Sequence, residues 1–200
     1  MSKRAALASG AAILAIGAAG CGASSSSGGG QTAAKSVSPN GAEVNPAGDI
    51  PDNQAFVPYA PPGGGSAVNV PEGWSRSASG GAVTFTDKLN AIRLESRSAR
   101  SPLTVRAARS SELPKLASSV EGFKLGRVST VARRAGAAVR ITYLADAKSN
   151  PVTGKAGQDA VERYVFFHRG TEAILTLSGP KGADNVDPWK IVTDSVTWPR

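Results

Sequence analysis

Alternation of apolar and polar positions begins near Val68 and runs almost to the end of the chain. Two short runs flank Gly80-Gly81, the two-residue spacing of a tight β-hairpin. A turn at Asp87 to Asn90 leads into a third run, Ala91 to Ser96. There Ile92 and Leu94 alternate with Arg93 and Glu95, the pattern of a half-buried strand. Ser101-Pro102 reads as a helix start, with proline at the first helical position. Pro114 then predicts one broken helix or two short ones. Four further β-type runs follow. Phe123 to Arg133 carries Val128 and Val131. In the next run Val139, Ile141 and Tyr143 share one face, and Arg140 and Thr142 the other. Ala160 to Arg169 is apolar on both faces, as a central strand would be. Thr171 to Gly179 returns beside it across the Arg169-Gly170 turn. At the end, Asp187 is a good helix N-cap and Pro188 a good first helical residue. Trp189, Val192 and Val196 form one stripe, and Pro199 stops the helix. Three strands, a helix, four strands and a helix predict an α+β fold. Its antiparallel sheet has about six to seven strands, with helices packed on it.

The first 66 residues carry a different pattern. Lys3 and Arg4 precede an apolar run, Ala5 to Ala19, too short and too alanine-rich for a comfortable membrane span. Small residues and Cys21 follow. Ala18-Ala19-Gly20-Cys21 resembles the lipobox of bacterial lipoproteins, with Ala18 where that family favours Leu. The resemblance implies that residues 1–20 are a cleaved signal peptide and that Cys21 is lipidated and becomes the mature N-terminus. Each buried methylene of such a lipid adds about 0.8 kcal/mol of membrane affinity. Residues 21–66 read as the lipidated cysteine and a Ser/Gly/Pro-rich tether, and 67–200 as the folded domain. A linker of some 30 residues spans on the order of 30 Å. Within the tether, residues 45–66 carry Ile50, Phe56, Val57 and Tyr59. They either pack as an extended arm on the domain or continue the tether.

Composition narrows the classes further. Cys21 is the single cysteine among 200 residues, so no intrachain disulfide forms and the exported domain relies on burial. Net charge is +8, and removing Lys3 and Arg4 leaves 21 basic against 15 acidic residues. That excess favours anionic surfaces.

The sequence carries no catalytic signature. A serine triad needs a base beside the nucleophile, and the single histidine, His168, lies at a strand end before a glycine turn, where it reads as a solvated hairpin residue. No Gly-x-Ser-x-Gly elbow is present. One cysteine and one histidine, far apart, cannot make a usual zinc site. Asp184, Asn185 and Asp187 lack calcium-loop spacing, and Asp187 reads as a helix cap instead. Gly154-Lys155 lacks the first glycine and the Ser/Thr of a phosphate loop, having Ser149 and Ala156 there. Arginines at 93, 97, 100, 106, 109, 133, 134 and 140 follow no base-reading motif, so nucleic acid is not expected as a partner. The reading names no catalytic residue, no cofactor and no metal ligand.

From Val70 to Trp198 the chain resembles the PsbP-like α/β sandwich domains, and within them bacterial lipoproteins of the LpqN type. The matching residues are Val70 to Trp74, Val83 to Glu95, Ser101 to Thr104, the Thr153-Gly154-Lys155 loop and Asp187 to Trp198. These signatures belong to architecture rather than catalysis. The expected protein is therefore a lipid-anchored, extracytoplasmic module of a high-GC, Gram-positive-type cell envelope. It binds without chemistry, and its partner is an envelope protein, a glycolipid or an anionic polymer. Two alternatives remain at this point. One is an envelope hydrolase using acidic residues, for which Glu95, Glu162 and Glu172 would have to converge. The other is a structural assembly factor.

Overall fold

The computed structural model describes residues 47–147 and 157–199. Among the described residues nine strands make two sheets. β1 (Phe56–Tyr59) and β2 (Val68–Pro71) pair antiparallel as a small sheet. The seven others are β3 (Ser75–Ser79), β4 (Ala82–Asp87), β5 (Asn90–Ser98), β6 (Lys124–Arg133), β7 (Gly136–Asp146), β8 (Gln158–His168) and β9 (Thr171–Pro180). They form one antiparallel sheet in the order β3-β4-β5-β9-β8-β7-β6. This is the expected α+β arrangement of three strands, helix, four strands, helix. The Gly80-Gly81 and Arg169-Gly170 turns close hairpins as read. β8, expected to be central, lies inside the sheet, but the middle position belongs to β9, because the last strand inserts between β5 and β8.

Two helical segments cover opposite faces. On one face lie α1 (Val105–Ala107), a π turn (Ala108–Glu112) and α2 (Leu113–Ser119), which run on as a single helix. Proline lacks the N–H that an α turn would require at residue 114. The wider π turn just before it absorbs the defect, so Pro114 bends the bonding pattern without ending the helix. The start expected at Ser101-Pro102 lies later: Thr104 is the N-cap, its hydroxyl oxygen accepting from the Ala107 N–H at 3.1 Å. A hydroxyl able to satisfy a free amide outweighs the bare backbone preference of proline. Beneath this helix, Ala108, Val128, Val139, Ile141, Tyr143 and Val161 form a core.

The other face carries the main core. Ile92, Leu94, Tyr164, Phe166, Leu175 and Leu177 meet Val68 and Val70 of the small sheet and Trp189 and Val192 of α3 (Val186–Asp194). Val196, expected to continue the stripe, is buried just beyond the helix, which ends at Asp194 rather than at Pro199. Asp187 is not the cap. It is exposed in the first turn, and Asn185 holds the cap position without a capping side-chain bond. The Asn185 amide is engaged elsewhere. Its Oδ1 accepts from the Ile50 N–H at 2.8 Å, and its Nδ2 donates to the Gly48 carbonyl at 2.9 Å and to Asn90 Oδ1 at 3.1 Å. Gly179 passes so close that a Cβ there would sit 2.3 Å from Asn90 Oδ1.

Of the two readings for residues 45–66, the extended arm holds over the described part. Ile50 is buried in the main core, and Phe56 and Tyr59 pack on it. Ordered structure thus begins well before residue 67. Residues 1–46, with Cys21, and the Gly154-Lys155 loop lie outside the described residues. Among those described, no helix is long and apolar enough to cross a membrane.

Candidate functional site

Two edge strands end the large sheet, and at one of them the strand departs from its neighbour. The β6–β7 register shifts between Leu125 and Val128, a β-bulge centred on Gly126. Glycine is required there by close approach: a Cβ would lie 2.6 Å from Thr142 Oγ1 and 3.0 Å from the Thr142 carbonyl. The Arg127 N–H, freed from the regular ladder, donates to Thr142 Oγ1 at 2.9 Å. Beyond the bulge Lys124 and Leu125 stay paired with Leu144 and Tyr143, while the bulge bends the edge strand and leaves the ends of β7 and β8 uncovered on the α3 face.

The result is a groove of about 390 Å³ between β6 and α3. Thr142, Leu144, Ala160 and Glu162 lie along β7 and β8. Leu125 stands on one side, and Pro180, Val186 and Trp189 on the other. Its lips are apolar and open to solvent: Val186 is 71% and Leu125 42% exposed. The Trp189 indole N–H has no hydrogen-bond partner among the described residues.

Charges adjoin the groove in a chain. Tyr164, fully buried, donates its hydroxyl to Glu162 Oε2 at 2.5 Å. Arg133 Nη2 donates to the Tyr164 hydroxyl at 3.0 Å, and Arg133 Nε to Thr193 Oγ1 at 2.8 Å. Arg140 Nη1 reaches Glu162 Oε1 at 3.4 Å. Burial, and then the bonded Glu162 carboxylate, push the Tyr164 phenol above its ordinary pKa, so it stays a donor at neutral pH. Glu162 is thereby held between a phenol and a guanidinium.

The three glutamates whose convergence would support acid–base hydrolysis do not converge. Glu162 is on the α3 face. Glu95 and Glu172 are on the opposite face, as the β5–β9–β8 register dictates. Glu95 pairs with Arg93 at 3.1 Å and Arg163 at 3.2 Å. Glu172 accepts from Arg97 Nε at 2.6 Å. Each is paired with arginine.

The remaining candidates are scattered. His168 is half-buried and stacks on Trp198 with ring centroids 5.2 Å apart, so the indole covers a ring expected to be solvated. Asp184, Asn185 and Asp187 point to different surroundings, and among the described residues no three His, Cys, Asp or Glu side chains are grouped to hold a metal ion. The arginines form no single patch. Arg93 and Arg97 are paired on one face and Arg133 and Arg140 on the other, while Arg100, Arg106, Arg109 and Arg134 are exposed. The groove itself is not written in any local sequence pattern; the one local signal near it is Gly126 inside a strand-like run, a mark of a bulge.

No family model and no curated protein sequence matches the chain. Solved structures do. The chain is similar to the cyanobacterial PsbP (CyanoP) of Synechocystis, with TM-score 0.50 and 16% identity over 78% of this chain and 99% of that one. LpqN of Mycobacterium tuberculosis, a protein involved in cell envelope biogenesis, aligns with TM-score 0.41 and 14% identity, over 73% of this chain and 91% of its own. A protein from Bacteroides thetaiotaomicron aligns with TM-score 0.45 and 14% identity over 68% of this chain, which spans 45% of its length. The fold is PsbP-like.

Proposed function

We propose that this chain is a lipoprotein of the LpqN type. In this reading Cys21 anchors it to the outer face of the cytoplasmic membrane, and its domain binds an envelope partner without transforming it. The groove between β6 and α3 is the binding surface. The observation that carries the reading is the character of that groove. Its lips, Leu125 and Val186, are apolar and exposed, and its carboxylate, Glu162, is already bonded to Tyr164 and Arg140. Exposed apolar side chains beside a preformed cleft suit association, and a carboxylate tied to two donors does not suit general acid catalysis. The lipobox-like sequence at Ala18 to Cys21 supports the anchor. An envelope protein, a glycolipid or an anionic polymer fits the net positive charge.

In-cell crosslinking from a photoreactive residue at Leu125 tests the reading. The expected result is a discrete adduct that disappears in Val186→Glu, a change on an exposed lip. Cys21→Ser is expected to move the chain from the membrane to the soluble fraction and to lose the adduct with it. An adduct unchanged by Val186→Glu would remove the groove from the reading. A Cys21→Ser chain that stayed with the membrane would remove the anchor.

A further inference from the structure

The two edges of the large sheet are treated differently by the sequence. An edge strand offers unpaired backbone N–H and C=O groups, and proteins guard such edges with charges, proline or bulges. β6 is guarded: it carries Lys124, Arg127 and Arg133 and the bulge at Gly126. β3 is guarded less: it is five residues long and carries a single charge, Arg76, with no lysine, proline or bulge. All five of its residues, Ser75 to Ser79, are exposed, and they run in unbroken register with β4 alone.

Which β3 groups are free follows from the turn. A two-residue loop makes Ser79 and Ala82 its hydrogen-bonded pair. Ser75, Ser77 and Ser79 therefore bond to β4, and the N–H and C=O of Arg76 and Ala78 face outwards. The register also sets the side chains. Arg76 lies opposite Phe85, on the main-core face. Its guanidinium is 5.7 Å from the Tyr59 ring centroid, and no carboxylate pairs with it among the described residues. Beside it runs a shallow groove lined by Val57, Pro58, Tyr59, Trp74, Arg76 and Phe85.

We propose that β3 is a docking edge for an extended segment of another protein, which adds as an eighth strand. Backbone bonds to Arg76 and Ala78 supply the ladder. Side chains on one face of a strand recur every second residue. A carboxylate on the incoming segment meets Arg76, and an apolar side chain two residues away enters the groove at Trp74 and Tyr59. Charge disfavours a second copy of this chain as the occupant, since antiparallel pairing of two β3 edges would bring two Arg76 side chains close together. This surface is separate from the groove at α3.

The test pans the full chain, purified in detergent, against a phage-displayed random peptide library. A fluorescein-labelled synthetic peptide of the enriched sequence is then titrated. The expected sequences alternate β-branched residues and place an acidic residue two positions from a large apolar one. Ala78→Pro removes one outward N–H and no bond to β4. It should weaken peptide binding by about tenfold or more and shift the thermal midpoint by less than about 2 °C. Arg76→Glu, which keeps every backbone group, should reverse the preference towards a peptide with Lys in place of the acid. Three results would overturn the proposal: no enrichment of alternating acidic sequences, binding indifferent to both substitutions, or a concentration-dependent dimer in sedimentation that Ala78→Pro abolishes. The last would make a second copy the occupant.

Discussion

Glu95 illustrates how a single side chain is set by its surroundings. Burial by itself raises its pKa, but the hydrogen bond from Arg93 and the charges of Arg163 and Arg93 outweigh burial. The carboxyl therefore lies below the ordinary glutamate value. A pKa lowered by folding adds stability above the unfolded-state value and loses it as pH falls through the folded-state value. Glu95→Gln should therefore be less stable than the parent chain at neutral pH by a constant margin. That margin should begin to shrink near pH 4.5, the ordinary value, and narrow further on acidification. Urea denaturation at several pH values measures it, and a margin that widened in acid would contradict the ion-pair account. Asn185 makes a second residue-scale point. Its type and position suggest a helix cap, yet its amide instead joins Gly48, Ile50 and Asn90. Those partners lie at least 95 residues away in the chain, beyond the reach of any local pattern.

At the scale of elements, the helix formed by α1, the π turn and α2 is tied to the sheet by charge as well as by apolar packing. The π turn buries Glu112, which meets Arg97 Nη2 at 3.1 Å. Arg97 Nε also meets Glu172 at 2.6 Å. One guanidinium thus holds two carboxylates whose side chains are 8% and 4% exposed. Removing it leaves both carboxylates under-compensated, and breaking such a pair costs about 3 to 5 kcal/mol. Arg97 itself is 39% exposed, so solvent screens part of this, and Arg97→Met is expected to lower the unfolding free energy by about 1 to 3 kcal/mol, read from denaturant curves. Lys115, 3.8 Å from Glu112, is exposed and compensates little. A loss below about 1 kcal/mol would show that the helix depends on its apolar contacts alone.

For the whole molecule, the arm before residue 67 belongs to the fold. Ile50 fills the main core, β1 completes the small sheet, and Tyr59 meets Phe85 edge to face at 4.9 Å. Burying an aliphatic or aromatic side chain contributes about 1.5 to 3 kcal/mol. A chain beginning at residue 67 should therefore lose about 5 kcal/mol or fail to fold, whereas one beginning at residue 47 should unfold cooperatively. Thermal unfolding followed by near-ultraviolet circular dichroism distinguishes them. Equal midpoints for the two would mean that the arm lies on the surface without supporting the core.

The amino-acid sequence by itself determined the kind and order of the elements from Ser75 onward. Strand alternation, the Gly80-Gly81 and Arg169-Gly170 turns and the apolar face of α3 all depend on neighbours a few residues apart, so they are written locally. The helix starts lie elsewhere than the local signals place them, for the same reason. Thr104 and Ser101-Pro102 are both sound local signals, and the hydrogen bond formed in the folded chain chose between them. Only the tertiary structure decided that β9 lies between β5 and β8, that Glu162 faces away from Glu95 and Glu172, and that Gly126 presses on Thr142 to open a groove beside α3. Each of these depends on register between strands far apart in the chain. Side-chain direction alternates with every residue, so a shift of one position exchanges the two faces, and that choice is made by packing of the core as a whole.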